Sequence, residues 1–96
     1  MAETTFAEFL VARLERAGFG ADHDHGHERF RVILVEKYAV PASPQAMSHW
    51  RTGRRVPTLG TVLAMLDALA IFGDDRDRAL RLAAGTQEPE QPTEAA

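Results

Sequence analysis

The sequence predicts an all-α fold of five helices over residues 1–85, followed by a disordered acidic tail over residues 86–96. Three observations predict it. Apolar residues recur at three- and four-residue spacing in several separate segments. Hydroxyl or carboxylate residues stand before most of these segments and glycines after them, as helix caps do. Residues 86–96, TQEPEQPTEAA, combine proline and glutamate with no large apolar side chain, a composition that cannot build a core.

The first helix is set by Phe6, Phe9, Leu10, Leu14 and Ala17, with Glu8, Arg13, Glu15 and Arg16 between them. Thr4 or Thr5 caps it and Gly18 ends it. Residues 18–27, GFGADHDHGH, are rich in glycine and charge and are expected to be a loop. A second helix is expected from about Glu28 to Tyr38, with Phe30, Ile33, Leu34 and Tyr38 on one face. Val32 and Val35 leave a strand open as the alternative.

Ser43 before Pro44 is a helix start: a hydroxyl to cap, then proline where its missing N–H costs nothing. The third helix is expected to reach Thr52 and stop at Gly53. Ala46, Met47 and Trp50 form its inner face, leaving Gln45, Ser48, His49 and Thr52 outside, with Trp50 in the core. Pro57 and Thr58 restart the chain. Leu59, Val62, Leu63, Leu66, Leu69 and Ala70 mark an amphipathic fourth helix that also faces the core and ends at Gly73. Asp74 or Asp75 is expected to cap a fifth helix that runs through Leu82 or Ala84 and closes at Gly85.

With 96 residues, 45% hydrophobic and 26% charged, the chain suits one small domain. Cysteine is absent, which excludes disulfides and thiolate metal sites. No basic start with an apolar run resembles a signal peptide, and no run approaches a membrane span. A cytoplasmic location is expected, with no membrane partner and no cofactor. The net charge is −3, but it is unevenly spread. Residues 43–57 hold Arg51, Arg54 and Arg55 and no acid, whereas the tail holds Glu88, Glu90 and Glu94. Steering acts over a Debye length of roughly 8–10 Å, so local charge decides the partner.

Five helices, with a short capped third helix after a tight turn, suggest a helix-turn-helix domain. A B-DNA major groove admits one α-helix. Met47 and Trp50 can pin such a helix from behind. Gln45 can pair bidentately with adenine, while Ser48 and His49 can reach guanine or mixed edges. The helix N-terminus with Ser43 suits a phosphate. Arg51, Arg54 and Arg55, with Thr52 beside them, suit further phosphate contacts that set register without reading bases.

The segment SPQAMSHWRTGRRVP, followed by TLGTVLAMLDAL, resembles the phage-repressor-like (Cro/repressor, XRE-type) helix-turn-helix family. The resemblance covers roughly residues 5–84. It implies a lambda-repressor-like fold in which the third helix is the recognition helix, Trp50 its core anchor, Gly53 its end and Pro57 the lead into the fourth helix. It also implies a phosphate contact near Arg31, where the family usually has glutamine; Arg29 lies close by. The chain departs from the family in two places. AVPAS is longer than the usual turn before the recognition helix. The family's arginine–glutamate pair between the first and third helices falls at about Leu14 and Arg51, so that pair is absent and Arg51 is left for a phosphate or another carboxylate.

Plainer readings stand beside these. Gln45, Ser48 and His49 can be ordinary exposed polar residues. Arg54 and Arg55 can simply favour a helix C-terminus, and Arg51 can form an internal salt bridge. In the loop HDHGH, His23, His25 and His27 alternate with Asp22 and Asp24, a donor set that suits Zn, Ni or Co. Neighbouring residues of one loop rarely close a tetrahedral site, so no metal is expected, and the three histidines are carried only as candidate ligands.

The expected function is a sequence-specific double-stranded-DNA-binding transcriptional regulator, a repressor, bound as a homodimer to an inverted repeat. The two recognition helices would then stand about 34 Å apart. One short helix reads too few base pairs alone. Leu80, Leu82 and Ala83 of the fifth helix are the expected dimer contacts, by resemblance. With three or four phosphate contacts per subunit, the log–log salt slope for a dimer would be about −5 to −7. The tail glutamates are expected to compete for the arginine face. The alternative is a protein-binding adaptor or antitoxin-like module. No enzyme is expected: no nucleophile elbow or glycine-rich phosphate loop is present, and Ser48 and His49 point about 100° apart on a helix.

Overall fold

Thr5 opens helix α1 (Phe6–Arg16) in the computed structural model, which describes residues 4–20 and 25–87. The Thr5 hydroxyl accepts from the Glu8 N–H at 3.2 Å. In return the Glu8 carboxylate accepts from the N–H groups of Thr4 and Thr5, at 2.8 and 3.3 Å. This capping box satisfies donors that a helix start leaves unpaired. Phe6, Phe9, Leu10 and Leu14 are buried, as their spacing dictates. Gly18 takes φ +87° just beyond the helix, a conformation open to glycine.

Helix α2 spans Gly26–Tyr38, so the strand alternative does not hold and the loop is shorter than expected. Gly26 and His27 belong to the helix. A Cβ at Gly26 would stand 2.4 Å from both the Gly20 carbonyl oxygen and the Phe19 carbonyl carbon. Only glycine lets the first turn of α2 lie on that backbone. His25 precedes it at φ +59° with no side-chain cap, so the true start has no local signature. Residues 21–24, with His23, Asp22 and Asp24, lie outside the described residues.

Helix α3 (Pro44–Thr52) has the expected ends. Ser43 Oγ accepts from the Ala46 N–H at 3.0 Å, and Gly53 turns the chain at φ +82°. Helix α4 (Leu59–Ala68) ends well before Gly73. Ala70 turns left-handed at φ +56°, and the Ile71 N–H returns to the Leu66 carbonyl at 2.9 Å. Gly73 instead begins α5 (Gly73–Gln87). Asp74 and Asp75 therefore sit inside its first turn, where acids suit the helix dipole, rather than at its cap. Gly85 does not close α5, because its backbone stays helical. Residues 88–96 lie outside the described residues.

The described residues thus form five α-helices and no strand. Helix α1 packs on α3 and α5, α2 on α3 and α4, and α4 on α5. Helices α1 and α5 are antiparallel: Arg13 meets Asp75 at 2.6 Å, and Arg78 lies 5.7 Å from the Phe9 ring centroid. The core is apolar throughout, with no buried polar residue among those described. Two assignments to it need correction. Leu59 is 64% exposed and Ala70 is also exposed, while Met65 is buried beside Val62 and Leu66. Trp50 is half-buried and packs against the edge of the core.

Candidate nucleic-acid interface

The outward face of α3 follows from its rotation of about 100° per residue. Met47 is 2% exposed and fixes the inner side. Gln45 and Thr52 are exposed opposite it, with Ser48 and His49 half-exposed beside them. At the helix start, Ala46 N–H and Met47 N–H are taken by Ser43 Oγ and Ser43 O, each at 3.0 Å. Pro44 offers no donor. The Ser43 hydroxyl hydrogen and the Gln45 N–H remain at that end as donors for an anion.

At the other end, the N–H groups of Arg54 and Arg55 both return to the His49 carbonyl, at 3.0 and 3.3 Å. The loop is thereby folded back on α3. Arg55 consequently lines one shallow hollow of about 310 Å³ together with Ser43, Gln45, Ala46, His49 and Trp50. Four of the residues singled out in the sequence (Ser43, Gln45, His49 and Arg55) therefore share one surface. Arg54 is exposed next to them.

Three others are placed differently. Arg31 is engaged within the protein: Nε and Nη2 donate to the Glu28 carboxylate at 2.9 and 2.5 Å, and Nη1 donates to the Ala42 carbonyl at 2.7 Å. The bond to Glu28 raises the Arg31 pKa above its ordinary value. Glu28 was not singled out, although its i, i+3 spacing to Arg31 was a visible signal. Thr52 donates its hydroxyl to the Ser48 carbonyl at 2.9 Å, so that hydrogen is not offered outward.

Arg51 lies about 40° round the helix from Met47 and turns toward α1. It lines a half-open groove of about 630 Å³ with Glu8, Val11, Glu15, Gly53 and Arg55. Its Nε is buried with no hydrogen-bond partner, as is Nε2 of His27. Burial holds the His27 pKa below its ordinary value; the Arg51 charge adds to this and Glu15 opposes it. The fixed placement of His27 in α2, with His25 exposed at the helix start, leaves no cluster of three metal-ligating side chains among the described residues.

Of the expected dimer contacts, Ala83 is 5% exposed, and Leu80 and Leu82 pack against the chain's own core. The large apolar residues most open to solvent are Leu59 and Phe72, at 64% and 66%. Sequence reasoning placed Leu59 in the core and passed over Phe72. No described helix is long and apolar enough to cross a membrane. The chain matches no protein-family model, no curated protein and no solved structure.

Proposed function

We propose that this chain is a helix-turn-helix regulator that binds double-stranded DNA sequence-specifically, acting as a cytoplasmic repressor and as a homodimer on an inverted repeat. The observation that carries this reading is the hollow on α3 shared by Ser43, Gln45, His49 and Arg55. It joins amide and imidazole groups suited to base edges with a cation and a capping hydroxyl whose own hydrogen can be donated to a phosphate. Gln45, Ser48 and His49 are the base readers in this proposal. Ser43, Arg54 and Arg55 hold phosphates, and Arg31 is a positioning residue that braces the turn before α3. The similarity of SPQAMSHWRTGRRVP to phage-repressor-like recognition helices supports the same reading.

Selection from a randomised duplex library tests it. Recovery of a two-fold symmetric motif by the wild-type chain, and not by Gln45→Ala/His49→Ala, supports the proposal. Recovery of no motif at low and moderate salt rejects it. A protein-binding module is the second reading, favoured by the exposure of Leu59 and Phe72. In that case the partner's affinity would change little with salt, whereas DNA affinity falls steeply.

A further inference from the structure

We propose that residues 88–96 of this chain dock in the groove between α1 and the end of α3, where their glutamates pair with its arginines and shield them from other anions. The groove is half open, and Arg51 and Arg55 line it, with Arg54 exposed alongside. Among the described residues, none of these three arginines is in an ion pair. The Arg51 Nε is buried without a hydrogen-bond partner, so no internal acceptor is bound on that side of the guanidinium, and a carboxylate in the groove can pair with the group's charge. Two acids also face the groove. Glu8 is already held by Thr4 and Thr5, and Glu15 lies beside His27. With Arg54 exposed alongside, the three arginines still outnumber these two carboxylates.

The occupant follows from topology and charge. Residues 88–96, EPEQPTEAA, contain Glu88, Glu90 and Glu94 and no base. Helix α5 runs antiparallel to α1, with Asp75 at Arg13 and Arg78 at Phe9. The same register carries Gln87 past Thr5, one of the residues that line the groove. Helices α3 and α5 both rest on α1, so their axes are no more than about 20 Å apart. Nine residues reach up to about 30 Å. The contact itself needs nothing from the DNA proposal; its consequence, weaker non-specific DNA binding, rests on that reading.

The test compares the full chain with the full-length variant Glu88→Gln/Glu90→Gln/Glu94→Gln. At low salt, docking predicts NMR shift differences at the Ala7, Gly53 and Arg55 amides and at the Arg51 Nε–H. These should vanish near 1 M salt, where the Debye length is about 3 Å. The variant should also bind random-sequence duplex about 3–10-fold more tightly at low salt. Glu36→Gln/Asp77→Asn, which raises net charge away from the groove, should gain less. Shift differences confined to the tail itself overturn the proposal, as does an equal gain in the control without groove shifts. Groove shifts that grow with protein concentration overturn the intramolecular form and make the occupant a second copy's tail. Groove shifts without any DNA binding support the docking and reject the DNA reading.

Discussion

The Arg31 guanidinium donates to the Ala42 carbonyl at 2.7 Å, so a side chain of α2 holds the residue that directly precedes the Ser43 cap of α3. The same guanidinium is held by Glu28, which fixes its direction. Removing it frees the turn between the two helices. Arg31→Gln is expected to lower Tm and to shift the Ser43–Met47 amides in NMR spectra. Arg31→Lys should not rescue, because one ammonium cannot match the guanidinium's fork to both partners. A variant with wild-type Tm and an unchanged α3 spectrum would refute the bracing role.

Gly26 and Gly60 should respond oppositely to alanine. A Cβ at Gly26 meets backbone atoms of Phe19 and Gly20 at 2.4 Å, which only movement of the main chain can relieve. Gly26→Ala is expected to cost about 2–3 kcal/mol. At Gly60, in α4, nothing lies within 4 Å, and alanine should stabilise by about 0.5–1 kcal/mol. Denaturant midpoints of the two variants check both signs.

On the proposed DNA-binding function, base reading and phosphate holding separate by salt. Gln45→Ala/His49→Ala should lose preference for a selected site while leaving Tm and the salt slope close to wild type. Arg54→Gln and Arg55→Gln should each weaken binding to all sequences alike. Each should also make the log–log slope shallower by about 0.9 for every phosphate that the subunit no longer neutralises. Titrations at several salt concentrations distinguish the two patterns.

The burial of His27 beside Arg51 gives stability a definite pH dependence. The folded state holds the imidazole pKa below the unfolded value of about 6.5, so the unfolded chain binds the proton more readily. Stability is therefore full above about pH 6.5 and is lost as pH falls from there toward the folded pKa. Glu8, Glu28 and Asp75 have lowered pKa values from their hydrogen bonds, to Thr4, Arg31 and Arg13 respectively. Their stabilisation is lost only further down, as pH falls through those carboxylate values. Melting His27→Gln and wild type at about pH 7.5 and 5.5 should show a smaller drop for the variant. Equal drops would refute the assignment.

Features encoded by adjacent residues were legible in the sequence. Ser43–Pro44 and Gly53 mark α3 because both of its caps are local, and the outward set Gln45, Ser48 and His49 follows from helix rotation alone. Features that depend on a distant partner were not. Ala70 ends α4 in a left-handed conformation for which alanine gives no warning, held by the Ile71–Leu66 bond. Gly26 begins α2 because of space left by Phe19 and Gly20. The internal neighbours of Arg31 and Arg51, the Ala42 carbonyl and the α1 groove, are distant in the chain and left no local mark.

The core of the described residues is built without polar side chains, and this has a consequence for the outer face of α3. Gln45, Ser48 and His49 contribute no buried side chain to the core, and Met47, with Trp50 packed at the core's edge, anchors their helix. Substitutions at these three positions can therefore alter what α3 displays with little effect on folding.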